Sequence, residues 1–200
     1  EIFLGSRNSL LAKIQTKLAI SKLKEVGVNN LKTKFLKSKG DNLRSKLFKD
    51  LGGKGLFTKE IDNLVINEDI DLGVHSAKDI PAFLDRELTI GAFLEREDVR
   101  DVLITKDSKI KNINHLPINC LLGSSSPRRT SYINNYRPDI KIIPIRGNIE
   151  TRIKNLKNNK LQAIVIALAG VIRLNKKYKN LSFNAIPLTQ ILPSPGQGAI

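Results

Sequence analysis

The chain has 200 residues, 40% of them hydrophobic, enough for a sizeable core in one or two domains. Its net charge of +15 and pI near 10.0 point to acidic partners: nucleic acid, anionic lipid, or a small molecule rich in carboxylate or phosphate. Aromatics are only 5% and tryptophan is absent, which argues against a base-stacking surface. No apolar run approaches the ~18 residues of a membrane span, and no signal peptide opens the sequence.

Short apolar runs alternate with helical periodicity from end to end, the pattern of an α/β protein. Ile2–Leu4 is expected to be a strand, followed by a helix with Ser9 as N-cap and an apolar stripe of Leu11, Ile14, Leu18 and Leu23. Leu31–Phe35 alternates as a half-exposed strand. The segment Ser38–Gly55, rich in lysine and glycine, reads either as a lid or as a tolerated insertion. A second helix carries Phe57, Ile61, Leu64 and Val65, and Leu72–His75 and Leu88–Leu94 are expected to be strands. The densely charged Glu95–Asp101 reads as a crossover into a second α/β half. There the expected elements are strand Leu121–Gly123, helix Pro127–Tyr136, strand Ile140–Ile145, helix Ile149–Leu156, strand Ala163–Ala167 and a short helix through Arg173. Asn158 and Asn159 mark a turn, and Pro193, Pro195 and Gly196 mark a second crossing. Two lobes linked twice make a cleft, where ligands usually bind. The abrupt start and stop suggest part of a longer protein.

The single cysteine, Cys120, rules out an internal disulfide; within Ile118–Leu122 it reads as a structural thiol in a buried strand. Lysines such as Lys22, Lys24, Lys32, Lys34, Lys37 and Lys39 read as solvated faces. Three turns carry more chemistry. Gly123-Ser124-Ser125-Ser126-Pro127-Arg128-Arg129 places hydroxyls and two guanidiniums at a helix N-terminus, where N–H groups favour anions. In Arg146-Gly147-Asn148, glycine permits a tight turn, Asn148 can cap the next helix, and Arg152 lies one turn inside it. Arg7 lies in a similar turn of the first half. Asp79, in Val74-His75-Ser76-Ala77-Lys78-Asp79, is the one acid in its turn; as a charged carboxylate it suits stabilising a developing cation or passing a proton. His75 reads as a packed core histidine. No metal-ligand spacing, Ser-His-Asp order or P-loop is visible.

These motifs, with Leu4–Ser9, Gly52–Glu60, Glu95–Asp98 and Leu192–Ala199, resemble the porphobilinogen deaminase family, in the family's order along the whole chain. The resemblance implies two lobes like those of type II periplasmic binding proteins. Lobe 1 comprises residues 1–97 with 191–200 and includes a flexible loop at 38–55; lobe 2 comprises residues 98–190. It implies stepwise condensation of four porphobilinogen molecules into the linear tetrapyrrole hydroxymethylbilane, with release of ammonia, in heme biosynthesis. Asp79 would be the catalytic carboxylate. Ser9, Lys78, Ser124, Ser125, Ser126, Arg128, Arg129, Arg146 and Arg152 would hold a dipyrromethane cofactor, and Arg7, Gln15, Phe57 and Arg173 would bind substrate.

The family tethers dipyrromethane to a cysteine in a Gly-Gly-Cys motif of a third domain. Cys120 lacks those flanks, so that domain is expected beyond residue 200 and this segment alone is expected to be inactive. A monomer located in the cytoplasm, with an organelle as the alternative, is expected, without nucleic-acid or membrane partners. The rival reading is a non-catalytic two-lobed anion-binding module, which would not need Asp79 for chemistry. A nucleic-acid binder, suggested by charge alone, ranks last.

Overall fold

The computed structural model describes residues 1–36, 58–158 and 160–200. The Ser38–Gly55 loop, Phe57 and Asn159 lie outside the described residues. The chain forms two compact units, Glu1–Glu97 with Pro195–Ile200, and Asp98–Ser194. No helix of the described residues is long and apolar enough to cross a membrane.

In the first unit, strand β1 (Ile2–Arg7) runs parallel to β2 (Leu31–Leu36) on one side and β3 (Leu72–Gly73) on the other, in the order β2-β1-β3. Helix α1 (Leu10–Glu25) connects β1 to β2, and α2 (Lys59–Ile66) precedes β3. Leu4, Ile61 and Ile70 are the buried apolar centre. The expected apolar stripe of α1 forms only in part: Leu11, Ile14 and Leu23 are half-buried. Its buried residues are Ala12, Gln15 and Thr16, while Leu18 is 41% exposed. The inward face is polar because its groups find partners: Thr16 donates to the Ala12 carbonyl at 2.9 Å, and Gln15 donates to Ser76 at 2.8 Å. Such bonds remove the cost of burying an amide or hydroxyl. β3 is shorter than the expected Leu72–His75.

Leu88–Leu94 is not a strand. Its sequence has strand-forming residues, but among the described residues the segment pairs with no sheet, and Ile90 and Phe93 are exposed. Leu94 N donates to the Ile200 carbonyl at 3.0 Å. Strand propensity describes fit to a pleated neighbour, and without that neighbour it decides little.

The second unit has a five-stranded sheet in the order β6-β5-β7-β4-β8. The strands are β4 (Asp101–Thr105), β5 (Leu121–Gly123), β6 (Lys141–Ile143), β7 (Ala163–Ala167) and β8 (Ser182–Ala185). β5 is parallel to β6 and β7, whereas β4 runs antiparallel to β7 and β8. Helices α3 (Pro127–Tyr136), α4 (Ile149–Asn158) and α5 (Leu168–Leu174) connect them. Alternation along β4 and β7 divides the core between the two faces. Leu103 and Val165 join Leu122 and Ile133 of α3 on one side; Val102, Ile104, Ile164 and Ile166 join Ile153 and Leu156 of α4 on the other. Covered on both faces, these strands read as continuous apolar runs.

β4 and β8 were not expected. Asp101, assigned from sequence to a charged crossover, is the fully buried first residue of β4, and the passage into this unit falls at Asp98.

Cys120 is buried in the first of these clusters. Burial pushes its thiol up, the charge of Arg137 only partly opposing that. A thiolate-specific reagent such as Ellman's should therefore label the native chain far more slowly than the urea-unfolded chain, following unfolding. Equal rates in both states would place this thiol outside the core.

Candidate functional site

The carboxyl ends of the strands in each unit carry the residues singled out from sequence, as open α/β sheets commonly arrange their ligand-binding groups. In the first unit β1 ends at Arg7, and Ser9 caps α1 by accepting from Ala12 N at 3.2 Å. The chain after β3 enters a single 3-10 turn, Ala77–Asp79, with Asp79 N donating to the Ser76 carbonyl at 2.9 Å. Gln15 reaches this segment from α1 through its bond to Ser76. Lys78 is exposed and Asp79 half-buried. Among the described residues the Asp79 carboxylate has no hydrogen-bond or ion-pair partner.

His75 is packed, 11% exposed, with Nε2 at 3.2 Å from Asp62 Oδ1. Burial pushes the Asp62 carboxyl up, but the hydrogen bonds from His75 and Thr58, with the charge of His75, together outweigh it and the net direction is down. The histidine is thereby committed to a structural contact.

In the second unit the turn after β5 is tightly self-bonded. Ser124 is buried and accepts from Ser126 N at 3.3 Å; Ser125 donates to the Ile145 carbonyl at 2.6 Å. Ser126 caps α3, with Pro127 as its first residue. Arg128 and Arg129 point to one buried partner: Asp101 accepts from Arg128 through Oδ2 and from Arg129 through Oδ1, each at 2.8 Å. Arg128 also donates to the Leu192 carbonyl. Arg129 is 7% exposed, and its Nε is buried without a hydrogen-bond partner.

After β6, Asn148 caps α4 by accepting from Thr151 N at 2.9 Å, across a left-handed Gly147. Arg152 Nε donates to the Gly147 carbonyl at 2.8 Å. Burial, and then the nearby Arg129 charge, push the Arg152 guanidinium below its ordinary value. Arg146 is exposed and, with Ser124, Ser125, Pro127, Thr130 and Ser131, lines a pocket of about 520 Å³. Arg173 is half-buried on α5.

Partly desolvated guanidiniums that repel one another, beside hydroxyls and an open pocket, are a donor set for carboxylates. Among the described residues no group of His, Cys, Asp and Glu is placed to hold a metal ion.

A family model described as "Porphobilinogen deaminase, dipyromethane cofactor binding domain" matches residues 2–200. The chain belongs to the porphobilinogen deaminase family. It is 44% identical over 200 residues to the porphobilinogen deaminase of Bacillus pumilus, covering 100% of this chain and 63% of the relative. Against that of Rickettsia typhi it is 44% identical over 203 residues, covering 100% and 66%. The chain therefore spans just under two thirds of the length of these relatives.

Among solved structures, it resembles an arginine-specific periplasmic binding protein of Salmonella typhimurium, with TM-score 0.54, 14% identity, and coverage of 99% and 83%. The periplasmic VFT2 domain of Bordetella pertussis BvgS gives 0.52, 12%, and 92% and 74%. These likenesses support the two-lobed α/β fold alone.

Within this porphobilinogen deaminase domain, sequence reasoning missed Asp101 and Ser76. The signal for Asp101 was a carboxylate immediately before the apolar run Val102-Leu103-Ile104. Ser76 lay inside a recognised motif, yet nothing local indicated its bond to Gln15.

Proposed function

We propose that this chain is the two-lobed part of a hydroxymethylbilane synthase, which condenses four porphobilinogen molecules head to tail with release of ammonia. The observation that carries this is the Asp79 carboxylate, half-buried at the carboxyl end of a parallel sheet and without a partner among the described residues. A half-buried carboxylate left unneutralised by its surroundings is suited to a cation that forms during reaction.

The second unit supplies what a ligand with many carboxylates requires. Ser124, Ser125, Ser126, Arg128, Arg129, Arg146 and Arg152 would hold dipyrromethane through its carboxylates. The residues fit that group: the buried Nε of Arg129 is an unused donor, and Arg152 is a cation held off water beside another cation. When bound, dipyrromethane supplies the pyrrole ring to which new units are joined. Arg7, Arg173 and Phe57 are assigned to incoming porphobilinogen. Gln15 is assigned to holding the Ser76–Asp79 segment, because its amide is already bonded there. Asp79 would hold the pyrrole N–H and accept or return a proton. Each charge-assisted hydrogen bond contributes roughly 1.5–3 kcal/mol, so several together retain a growing polycarboxylate between additions.

Cys120 is packed in the core, so covalent attachment is assigned to a cysteine of a third domain outside these residues. The test is consumption of porphobilinogen by the full-length protein, followed by oxidation and porphyrin absorbance. Porphyrin is expected; porphobilinogen bound but never consumed would favour a non-catalytic binding module instead.

A further inference from the structure

The Asp79 turn is only three residues long and has little internal hydrogen bonding. Its position is set from outside, on two sides. On one, Gln15 of α1 bonds Ser76 at 2.8 Å. On the other lies the return segment Pro195–Ile200. Ala77 N donates to the Ala199 carbonyl at 3.1 Å, and Gly196 packs directly on the turn's main chain. A Cβ at residue 196 would stand 2.8 Å from both Ala77 C and Lys78 N, short of the 3.4 Å at which ordinary contact begins. Gly196 also has φ +67°, a conformation that side chains disfavour.

The segment is itself anchored away from the turn. Arg96 Nε donates to the Gln197 carbonyl at 2.8 Å, Glu97 N donates to the Gly198 carbonyl at 3.1 Å, and Leu94 N donates to the Ile200 carbonyl at 3.0 Å. A main chain held by three bonds does not yield as the tip of a flexible side chain would. Any atom added at residue 196 must therefore displace the Ala77–Lys78 backbone, which leads straight into Asp79.

We propose that Gly196 is a positioning residue for the reaction: by letting the return segment lie against the Ala77–Lys78 main chain, it fixes where the Asp79 carboxylate stands. This rests on the assignment of Asp79 as the reacting carboxylate. It assigns to the glycine-rich motif Leu192–Ala199 a task in the chemistry that its sequence did not reveal.

The experiment is steady-state porphobilinogen consumption by the full-length protein, with thermal unfolding in parallel, for Gly196→Ala, Ala77→Gly, Gly27→Ala and Asp79→Asn. Gly27 has φ +91° and open space around its Cβ position, so Gly27→Ala introduces similar backbone strain without a contact. Misplacing a reacting group by ~1 Å costs on the order of 100-fold in rate, so Gly196→Ala should lower kcat by about that factor with KM unchanged. Gly27→Ala should lower Tm but keep kcat. Ala77→Gly, which adds no atom and loosens the turn against Gly196, should also lower kcat at constant KM; if Gly196→Ala does not fold, this variant decides. Wild-type kcat in the folded Gly196→Ala protein, or in Ala77→Gly where it must decide, overturns the proposal, as does a KM that rises in step with the loss. If Asp79→Asn retains turnover, the reading of Asp79 falls and this inference with it. If Asp79→Asn is inactive while Gly196→Ala and Ala77→Gly match wild type, the inference falls alone.

Discussion

Asp79→Asn in the full-length protein is expected to lower kcat by about 10²–10⁴-fold while leaving substrate affinity nearly intact, because a positioned acid–base group contributes on that scale. Asparagine keeps the size of the side chain and removes its charge, so the variant separates electrostatics from packing. The turn should persist, since it is held by main-chain bonds from Ala77 and by the Gln15–Ser76 contact, none of which involves the carboxylate. Affinity should persist because the cationic donors are other side chains, which the substitution leaves in place. Single-turnover assays read the chemical step, and calorimetry with porphobilinogen reads binding. Asn at wild-type kcat would remove Asp79 from the reaction; a loss of binding equal to the loss of rate would make it a ligand-positioning group instead.

The largest effect on stability is expected from Asp101→Ala. The carboxylate is fully buried and accepts from both Arg128 and Arg129 at 2.8 Å. Removing it leaves two guanidiniums facing each other, with Arg129 also too buried for water to compensate. Breaking a buried ion pair by deleting one partner costs about 3–5 kcal/mol, and more than one partner is stranded here. For a protein of this size each kcal/mol shifts Tm by roughly 2–4 °C, so a fall of about 6–20 °C is expected by scanning calorimetry. Asp101→Asn, which keeps one acceptor, should fall in between. Glu25→Ala deletes the exposed Lys22–Glu25 pair and should leave Tm nearly unchanged. A Tm for Asp101→Ala matching that of Glu25→Ala would mean the triad carries no structural weight.

These two residues also show how far the sequence could be read. The alternation of strand and helix was legible wherever an element carried its own start signal: Ser126-Pro127 opens α3, and Ser9 caps α1. It failed where the deciding partner was distant. Leu88–Leu94 has strand-forming residues but, among the described residues, no strand paired with it. Ser182–Ala185 alternates polar and apolar residues, but over only four positions, and it becomes a strand through its pairing with β4 at the sheet edge. The inward face of α1 is polar because Ser76 and the Ala12 carbonyl receive its side chains.

At the site, the arginines were visible as cations next to serines, but their shared counter-ion lies 27 and 28 residues earlier in the chain. No local pattern joins them. The turn carrying Asp79 was recognised, while its supports in α1 and the return segment were not, since both contacts depend on tertiary packing.

The buried triad also divides the charge of the molecule into two kinds. At physiological salt, charges in solvent more than about 8 Å apart are largely screened, whereas buried ones are screened much less. Most of the excess behind the net charge of +15 sits on surface lysines, so counter-ions soften it readily. Arg129, fixed to Asp101 and shut away from the electrolyte, stays outside that atmosphere. Ionic strength therefore acts on the loose, unspecific attraction of polyanions to the surface more strongly than on carboxylates gripped at the Ser126–Arg129 turn.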